Sequence, residues 1–178
     1  MWGDRLFLTT FDEYKPGAPK FSAAILGHCL DAKTGKLLWS VRLDGSVESP
    51  MMYAHSDSTS PTPVTDGKSV CFTNASGRIG CWDFEGKKIW ERRFEPWGKP
   101  YPFNNQHEPI LFNGRIVNLE PLDGNRPEKQ GWNHLRGIDK LTGRTRWIAD
   151  DATTAYCTSV MGPFRRYGSD SARPRRVA

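Results

Sequence analysis

A chain of 178 residues with 37% hydrophobic and 25% charged residues is neither a low-complexity polymer nor a disordered tail in its bulk. No run of about eighteen apolar residues occurs, which excludes a hydrophobic membrane-spanning helix. The formal charge of +5 is concentrated: Arg165, Arg166, Arg173, Arg175 and Arg176 against Asp170 leave only +1 for residues 1–164. The basicity therefore belongs to a low-complexity tail over 165–178 and does not describe a nucleic-acid-binding domain.

In chain order, Gly3-Asp4-Arg5 reads as a turn leading into a strand that ends near Thr10. A polar insertion, Asp12 to Lys20, follows. Strands are predicted from Ala24 to Leu30 and from Leu37 to Leu43, joined by Asp31-Ala-Lys-Thr34-Gly35. Asp at the head of such a turn accepts backbone N–H groups two or three residues on, and Gly supplies the positive φ of the reversal. Pro63 to Thr73 reads as strand, Asp66-Gly67 turn, strand, and Asn74-Ala-Ser-Gly77 reverses into a strand over Arg78 to Trp82. Asp83-Phe-Glu-Gly86 then turns into Lys87 to Phe94. The plan returns with Pro109 to Leu119 around Asn113-Gly114, a polar insertion over Glu120 to Leu135, and Asp139-Lys-Leu-Thr142-Gly143 leading to Trp147. Ala155 to Gly162 looks like one further strand.

The strand after each Asp–Gly turn carries a tryptophan four residues beyond the glycine: Trp39, Trp90 and Trp147, spaced by 51 and 57 residues. Units of about fifty residues, each of four antiparallel strands, are the blades of a β-propeller. Trp82-Asp83 occurs once, without a preceding Gly-His, and the period is too long for a WD-type repeat. The predicted blades span about 1–45 (partial), 60–95 and 107–150, with the first strand of a fourth over 153–162. Three blades and two stubs cannot close a ring. The chain thus reads as a propeller segment over 1–164, a piece of a longer protein, with assembly from several copies as the lesser alternative.

The phrase small-x-Asp-x-x-Thr-Gly-x-x-x-Trp resembles the repeat of the pyrroloquinoline-quinone-like (PQQ-like) β-propellers. Asp31, Thr34, Gly35 and Trp39 match it, as do Asp139, Thr142, Gly143 and Trp147; Asp83, Gly86 and Trp90 match a copy one residue shorter. Cys29, Cys81 and Gly137 fall at the small position. The resemblance implies an all-β incomplete ring, in which each Trp docks on the turn glycine of the neighbouring blade. The family includes quinoprotein dehydrogenases and outer-membrane assembly scaffolds, so the resemblance implies an extracytoplasmic, periplasmic or cell-surface, bacterial protein.

Candidate chemistry is sparse. Propeller ligands sit on the axis, where the innermost strands begin. Two adjacent approach segments, Met51 to Pro63 and Tyr101 to Glu108, bring His55, Asp57, His107 and Glu108 into range as the one cluster to test for a metal or an acid/base pair. No metal is expected there. An alcohol dehydrogenase of the resembled family carries an adjacent Cys-Cys pair and Glu, Asn and Asp groups around Ca²⁺; no Cys-Cys occurs here. Pairing across Asn74–Gly77 sets Cys71 opposite Gly80, which puts Cys71 and Cys81 on opposite faces and unbonded. Asn74-Ala-Ser76 fits a glycosylation acceptor by chance in a tight turn. The reading is a non-catalytic scaffold for a protein partner or small ligand, without nucleic acid. The alternative is a quinone-dependent oxidoreductase using PQQ with Ca²⁺. A sugar- or polyanion-binding lectin, hinted at by the aromatic Trp97 to Phe103, is a third class.

Overall fold

The structure, a computed structural model, describes residues 1–12, 24–45, 58–94, 108–121 and 133–153. The described residues form eleven strands and no helix. β1 (Arg5–Phe11), β2 (Ile25–Asp31) and β3 (Leu37–Leu43) make a first sheet. β4 (Val64–Thr65), β5 (Ser69–Asn74), β6 (Arg78–Asp83) and β7 (Lys88–Arg93) make a second. β8 (Ile110–Phe112), β9 (Arg115–Pro121), β10 (Asn133–Asp139) and β11 (Thr145–Thr153) make a third. Every pairing is antiparallel between consecutive strands, so each sheet is a simple meander. The first sheet packs on the second and the second on the third, and among the described residues these propeller blades form an arc and not a closed ring. The further strand expected over 155–162 and the basic tail lie outside the described residues.

The Asp–Gly turns explain why the hairpins form where they do. Asp31 Oδ1 accepts the amides of Lys33 (3.0 Å) and Thr34 (2.8 Å) and the Thr34 hydroxyl (2.8 Å). Asp139 repeats this with Leu141 and Thr142 at 3.0 Å. The shorter middle turn lacks the Thr, and Asp83 instead takes the amides of Glu85 (3.1 Å) and Lys87 (2.8 Å). Gly35, Gly86 and Gly143 sit at φ of 71°, 84° and 70°, the left-handed region that a side chain resists.

A register irregularity recurs at the same repeat position in all three sheets: between Cys29 and Leu30, Cys81 and Trp82, Gly137 and Ile138. Each is a β-bulge, which twists the outer strand and re-aims the following side chain. That side chain is the repeated Trp, paired directly opposite Cys29, Cys81 or Gly137. The small residue is required because the indole leans across the strand towards the next sheet.

Two of the three indoles reach that sheet. Trp39 lies over Gly86, where an added Cβ would come within 2.9 Å of its ring, and its Nε1 donates to the Phe84 carbonyl at 2.8 Å. Trp90 lies over Gly143 in the same way, with Nε1 donating to Lys140 O at 2.7 Å. Trp147 differs: its ring covers Gly137 of its own sheet and is 40% exposed. Among the described residues no fourth sheet offers it a turn, so the burial expected for it between blades is not found.

The two inter-sheet interfaces are chemically unlike. Between the first and second sheets, Phe7, Ile25, Cys29 and Leu43 pack on Val70, Phe72 and Trp82. The Phe72 ring lies flat on Gly27, at 2.8 Å from where a Cβ would stand. Between the second and third, Cys71, Ile79 and Cys81 meet Ile116 and Ile138, and the apolar contact then gives way to buried charge.

Replacing Trp39 or Trp90 by Ala is expected to lower unfolding free energy by ~3–5 kcal/mol, and Trp147→Ala by at most about 2 kcal/mol. Urea denaturation of the three variants checks this; equal losses at all three sites would contradict the assignment.

Candidate functional site

β4 and β8, the first strands of the second and third sheets, lie side by side. Thr62 N donates to Glu108 Oε2 at 2.9 Å, tying the approach segment of the second sheet to that of the third. Of the four candidates for a metal or acid/base site, Glu108 alone is described, and its carboxylate caps a backbone amide. His55, Asp57 and His107 lie outside the described residues, as does the Trp97 to Phe103 segment. Among the described residues no group of three or more His, Cys, Asp or Glu side chains converges.

The concentrated chemistry lies elsewhere, at the charged end of the interface between the second and third sheets. In β9 and β10, Ile116 and Ile138 face the second sheet near the turn; farther along, the same face presents Asn118, Glu120, Arg136 and His134, all buried. Glu120 pairs with Arg92, which crosses from β7, and with Arg136 at 3.5 Å. Asn118 Nδ2 is 3.4 Å from Glu120 Oε1. Arg92 also donates to Gly143 O (3.2 Å) and the Thr145 hydroxyl (2.9 Å), beside the seat of Trp90. Burial raises the Glu120 carboxyl above its ordinary range, with the two guanidinium groups opposing it. On that face His134 has its Nδ1 3.4 Å from Ala149 O, while Nε2 has no partner among the described residues.

A second ion pair crosses the same interface: Lys140, next to the turn Asp139, reaches Asp66 of the second sheet. Burial opposes ionisation of Asp66, yet Lys140 and the amides of Lys68 and Ser69 outweigh it and hold the carboxyl below its usual value. Asp139 is lowered to about 2, chiefly by Arg146, with desolvation opposing it and the turn donors Thr142 and Leu141 adding to the lowering. These carboxylates are consumed in holding turns and sheets.

The cysteine expectation is corrected. β5 pairs with β6 so that Asn74 faces Arg78, Phe72 faces Gly80 and Cys71 faces Cys81, and Cys71 and Cys81 form a disulfide with Cα atoms 4.0 Å apart. The loop between the strands is three residues, Ala75-Ser76-Gly77, closed by Gly77 N donating to Asn74 O at 3.0 Å. That extra loop residue shifts the register by one, bringing both cysteines to the face that packs on the third sheet. Cys29 is a free, buried thiol, raised by desolvation. The Asn74 side chain is fully buried, donating to Leu43 O (3.0 Å) and accepting from Ser76 N (2.8 Å), so this acceptor pattern is a structural staple between sheets.

Sequence reasoning missed the Arg92–Glu120–Arg136 cluster, which carries no motif, and Trp2. The Trp2 indole covers Gly67 of the neighbouring turn. Its only signal was an aromatic residue beside a Gly-Asp reversal.

Antiparallel meanders with turn-seated indoles define a β-propeller of PQQ-like repeats. The chain belongs to the family described as outer membrane protein assembly factor BamB, whose model matches residues 28–171. No protein with a curated description matches it. Among solved structures it is similar to the europium-containing methanol dehydrogenase (13% identity, 83% of this chain, 23% of that one, TM-score 0.53). It is also similar to BamB from Moraxella catarrhalis (19%, 69% and 30%, TM-score 0.47) and to the quinohemoprotein alcohol dehydrogenase from Comamonas testosteroni (19%, 72% and 20%, TM-score 0.43). The chain spans less than a third of the length of each. At these identities the likeness is one of fold.

Glu120 does not offer a site for the Ca²⁺ that accompanies a quinone in the oxidoreductase alternative. Both oxygens of the one deeply buried carboxylate, Glu120, are engaged by Arg92, Arg136 and Asn118, and a dication has no vacant oxygen set to bind beside two guanidinium groups.

Removing the Cys71–Cys81 bond by a double Ser substitution is expected to cost ~2–3 kcal/mol for a loop of this length. Thiol labelling of the unreduced, unfolded protein is expected to spare both residues; modification of both without reductant would contradict the pairing.

Proposed function

We propose that this chain is a non-catalytic scaffold within a PQQ-like propeller, its remaining blades supplied by a longer protein. What carries the reading is how the buried ionic groups are used. Glu120, Arg92, Arg136, Asp66 and Lys140 bind sheet to sheet, and Glu108 binds one approach segment to the next. In this proposal Asp31, Gly35, Trp39, Asp83, Gly86, Trp90, Asp139, Gly143 and Trp147 are docking residues. Trp147 is the plug for a further blade, and Gly35, with open space around it, is the seat for one.

The partner proposed is a protein, in keeping with the assembly role named in the family's description. The insertion between β1 and β2 and the one between β9 and β10 follow corresponding strands of the repeat, so both leave from one edge and are suited to form its contact lip. An extracytoplasmic location, periplasmic or at the cell surface, is supported by the Cys71–Cys81 disulfide, since such bonds persist in oxidising compartments. No helix among the described residues is long and apolar enough to cross a membrane.

The test is to add PQQ and Ca²⁺ to the protein with a primary alcohol and a dye acceptor. We expect no dye reduction above the protein-free rate. Turnover that depends on both additions would overturn the scaffold reading in favour of a quinone-dependent oxidoreductase.

A further inference from the structure

The strand register of the first sheet recurs in the third. Trp2 bridges to Arg5, Arg5 pairs with Asp31, and Phe7 pairs with Cys29, which stands opposite Trp39. In the third sheet Phe112 pairs with Arg115, Arg115 with Asp139, and Val117 with Gly137, which stands opposite Trp147. Phe112 and Trp147 thus hold the places of Trp2 and Trp39, both on one face of their sheet.

In the first sheet these two side chains are plugs. Trp2 covers Gly67 and Trp39 covers Gly86, glycines of two turns of the second sheet. In the third sheet the corresponding side chains cover no turn of a neighbour among the described residues. Phe112 is 60% exposed, and Trp147, folded back over Gly137, remains partly in solvent.

The matching seats lie at the other end of the arc. Gly3 stands two residues before β1 as Gly67 does before β5, and Gly35 two before β3 as Gly86 does before β7. All four have positive φ. Gly67 and Gly86 carry indoles, whereas a Cβ at Gly3 or Gly35 meets nothing within 4 Å. The carbonyl that accepts a docked indole is matched too. Trp90 donates to Lys140 O, and Lys140 N donates to Gly114 O; Ala32, at the same repeat position, donates in the same way to Asp4 O.

Between its two seats the first sheet is suited to being covered. Phe7, Ile25 and Cys29 pack towards the second sheet, so strand alternation places Leu6, Leu8, Leu26 and Leu30 on the open face. Among them His28 has Nε2 2.8 Å from the Thr10 hydroxyl and Nδ1 2.7 Å from the Ser40 hydroxyl. With both ring nitrogens engaged inside the sheet, a partner can cover this face without stranding them.

We propose that the open face of the third sheet docks on the open face of the first sheet of a second copy. Phe112 takes the second copy's Gly3, and Trp147 takes its Gly35, giving the indole N–H to its Ala32 carbonyl. Such a contact is head to tail and makes a ring where the rotation closes. Two copies supply twice the three described sheets, six in all, within the four to eight of a propeller. The inference rests on the proposed function in taking both open faces as blade faces. A longer protein fills them with further blades of its own; the 178-residue chain by itself fills them with its copy. Dye reduction with PQQ and Ca²⁺ would overturn the scaffold reading and leave this contact standing.

The test is light scattering on the full chain, separated by size, over a series of concentrations. Wild type is expected to pass from single chains to pairs as concentration rises, with nothing larger. Phe112→Ser with Trp147→Ala is expected to raise the dissociation constant at least about tenfold. Leu6→Glu with Leu26→Glu, on the other face, is expected to do the same. Mixed together, the two variants are expected to pair more tightly than either does alone, because each keeps the end that the other has lost. Each variant is compared after its urea transition confirms a folded chain, with Phe112→Ser alone, at an exposed side chain, as the milder form. The stability comparisons among glycine and tryptophan variants belong at concentrations where the chain is single. A wild type that stays single, an open series of larger species, pairs that survive loss of either face, or no gain in the mixture would each overturn the contact and leave the scaffold reading standing.

Discussion

An indole laid flat on a turn glycine sets the separation of successive sheets, and the remaining contacts are built within that separation. Trp39 on Gly86 and Trp90 on Gly143 each combine close ring-on-backbone packing with one indole N–H donated to a carbonyl of the same turn. An indole fully covered removes up to roughly 150–250 Å² from water, ~4–6 kcal/mol as an upper bound. The arrangement needs four things at once: a left-handed glycine, an Asp to hold the turn open, a bulge to tilt the outer strand, and a small residue opposite the Trp. All four recur in each sheet, which is why the phrase varies so little along the chain.

Once spacing is set, the faces between sheets are free to differ. Phe72 and Gly80 of the second sheet hold the repeat positions that Asn118 and Arg136 hold in the third. The first interface therefore closes with aromatic packing on Gly27, the second with Glu120 between Arg92 and Arg136. A buried ion cluster adds little net stability over an apolar replacement, but it tolerates only one pairing of partners. The consequence is directional: the second sheet cannot exchange its two neighbours, because one of its faces is matched to apolar side chains and the other to charge.

What could be read from the residues followed from local chemistry. Turn positions, strand limits and the offset of each Trp rest on interactions within ten residues, and β2, β3, β6 and β7 begin and end within one residue of the expected bounds. The Cys71–Cys81 pairing could not be read that way, because a single residue in the Ala75–Gly77 loop decides which face each cysteine takes. The Arg92–Glu120 contact joins side chains 28 residues apart on different sheets, and Trp2 on Gly67 likewise depends on how sheets stack. Of the proposed axial cluster, Glu108 alone could be followed, and its role as a cap on Thr62 depends on that stacking too.

The most direct test compares two glycines whose backbones are alike and whose surroundings are not. Gly35 and Gly86 both have positive φ, but a Cβ at Gly35 meets open space and a Cβ at Gly86 meets Trp39. Alanine at either carries the same left-handed penalty of about 1–2 kcal/mol. Measured by urea unfolding, Gly86→Ala is expected to cost ~1–3 kcal/mol beyond Gly35→Ala, the range for a side chain forced into packed space. Losses equal within about 0.5 kcal/mol would show that the indole does not rest on that turn, and the account of how the sheets are held would fail.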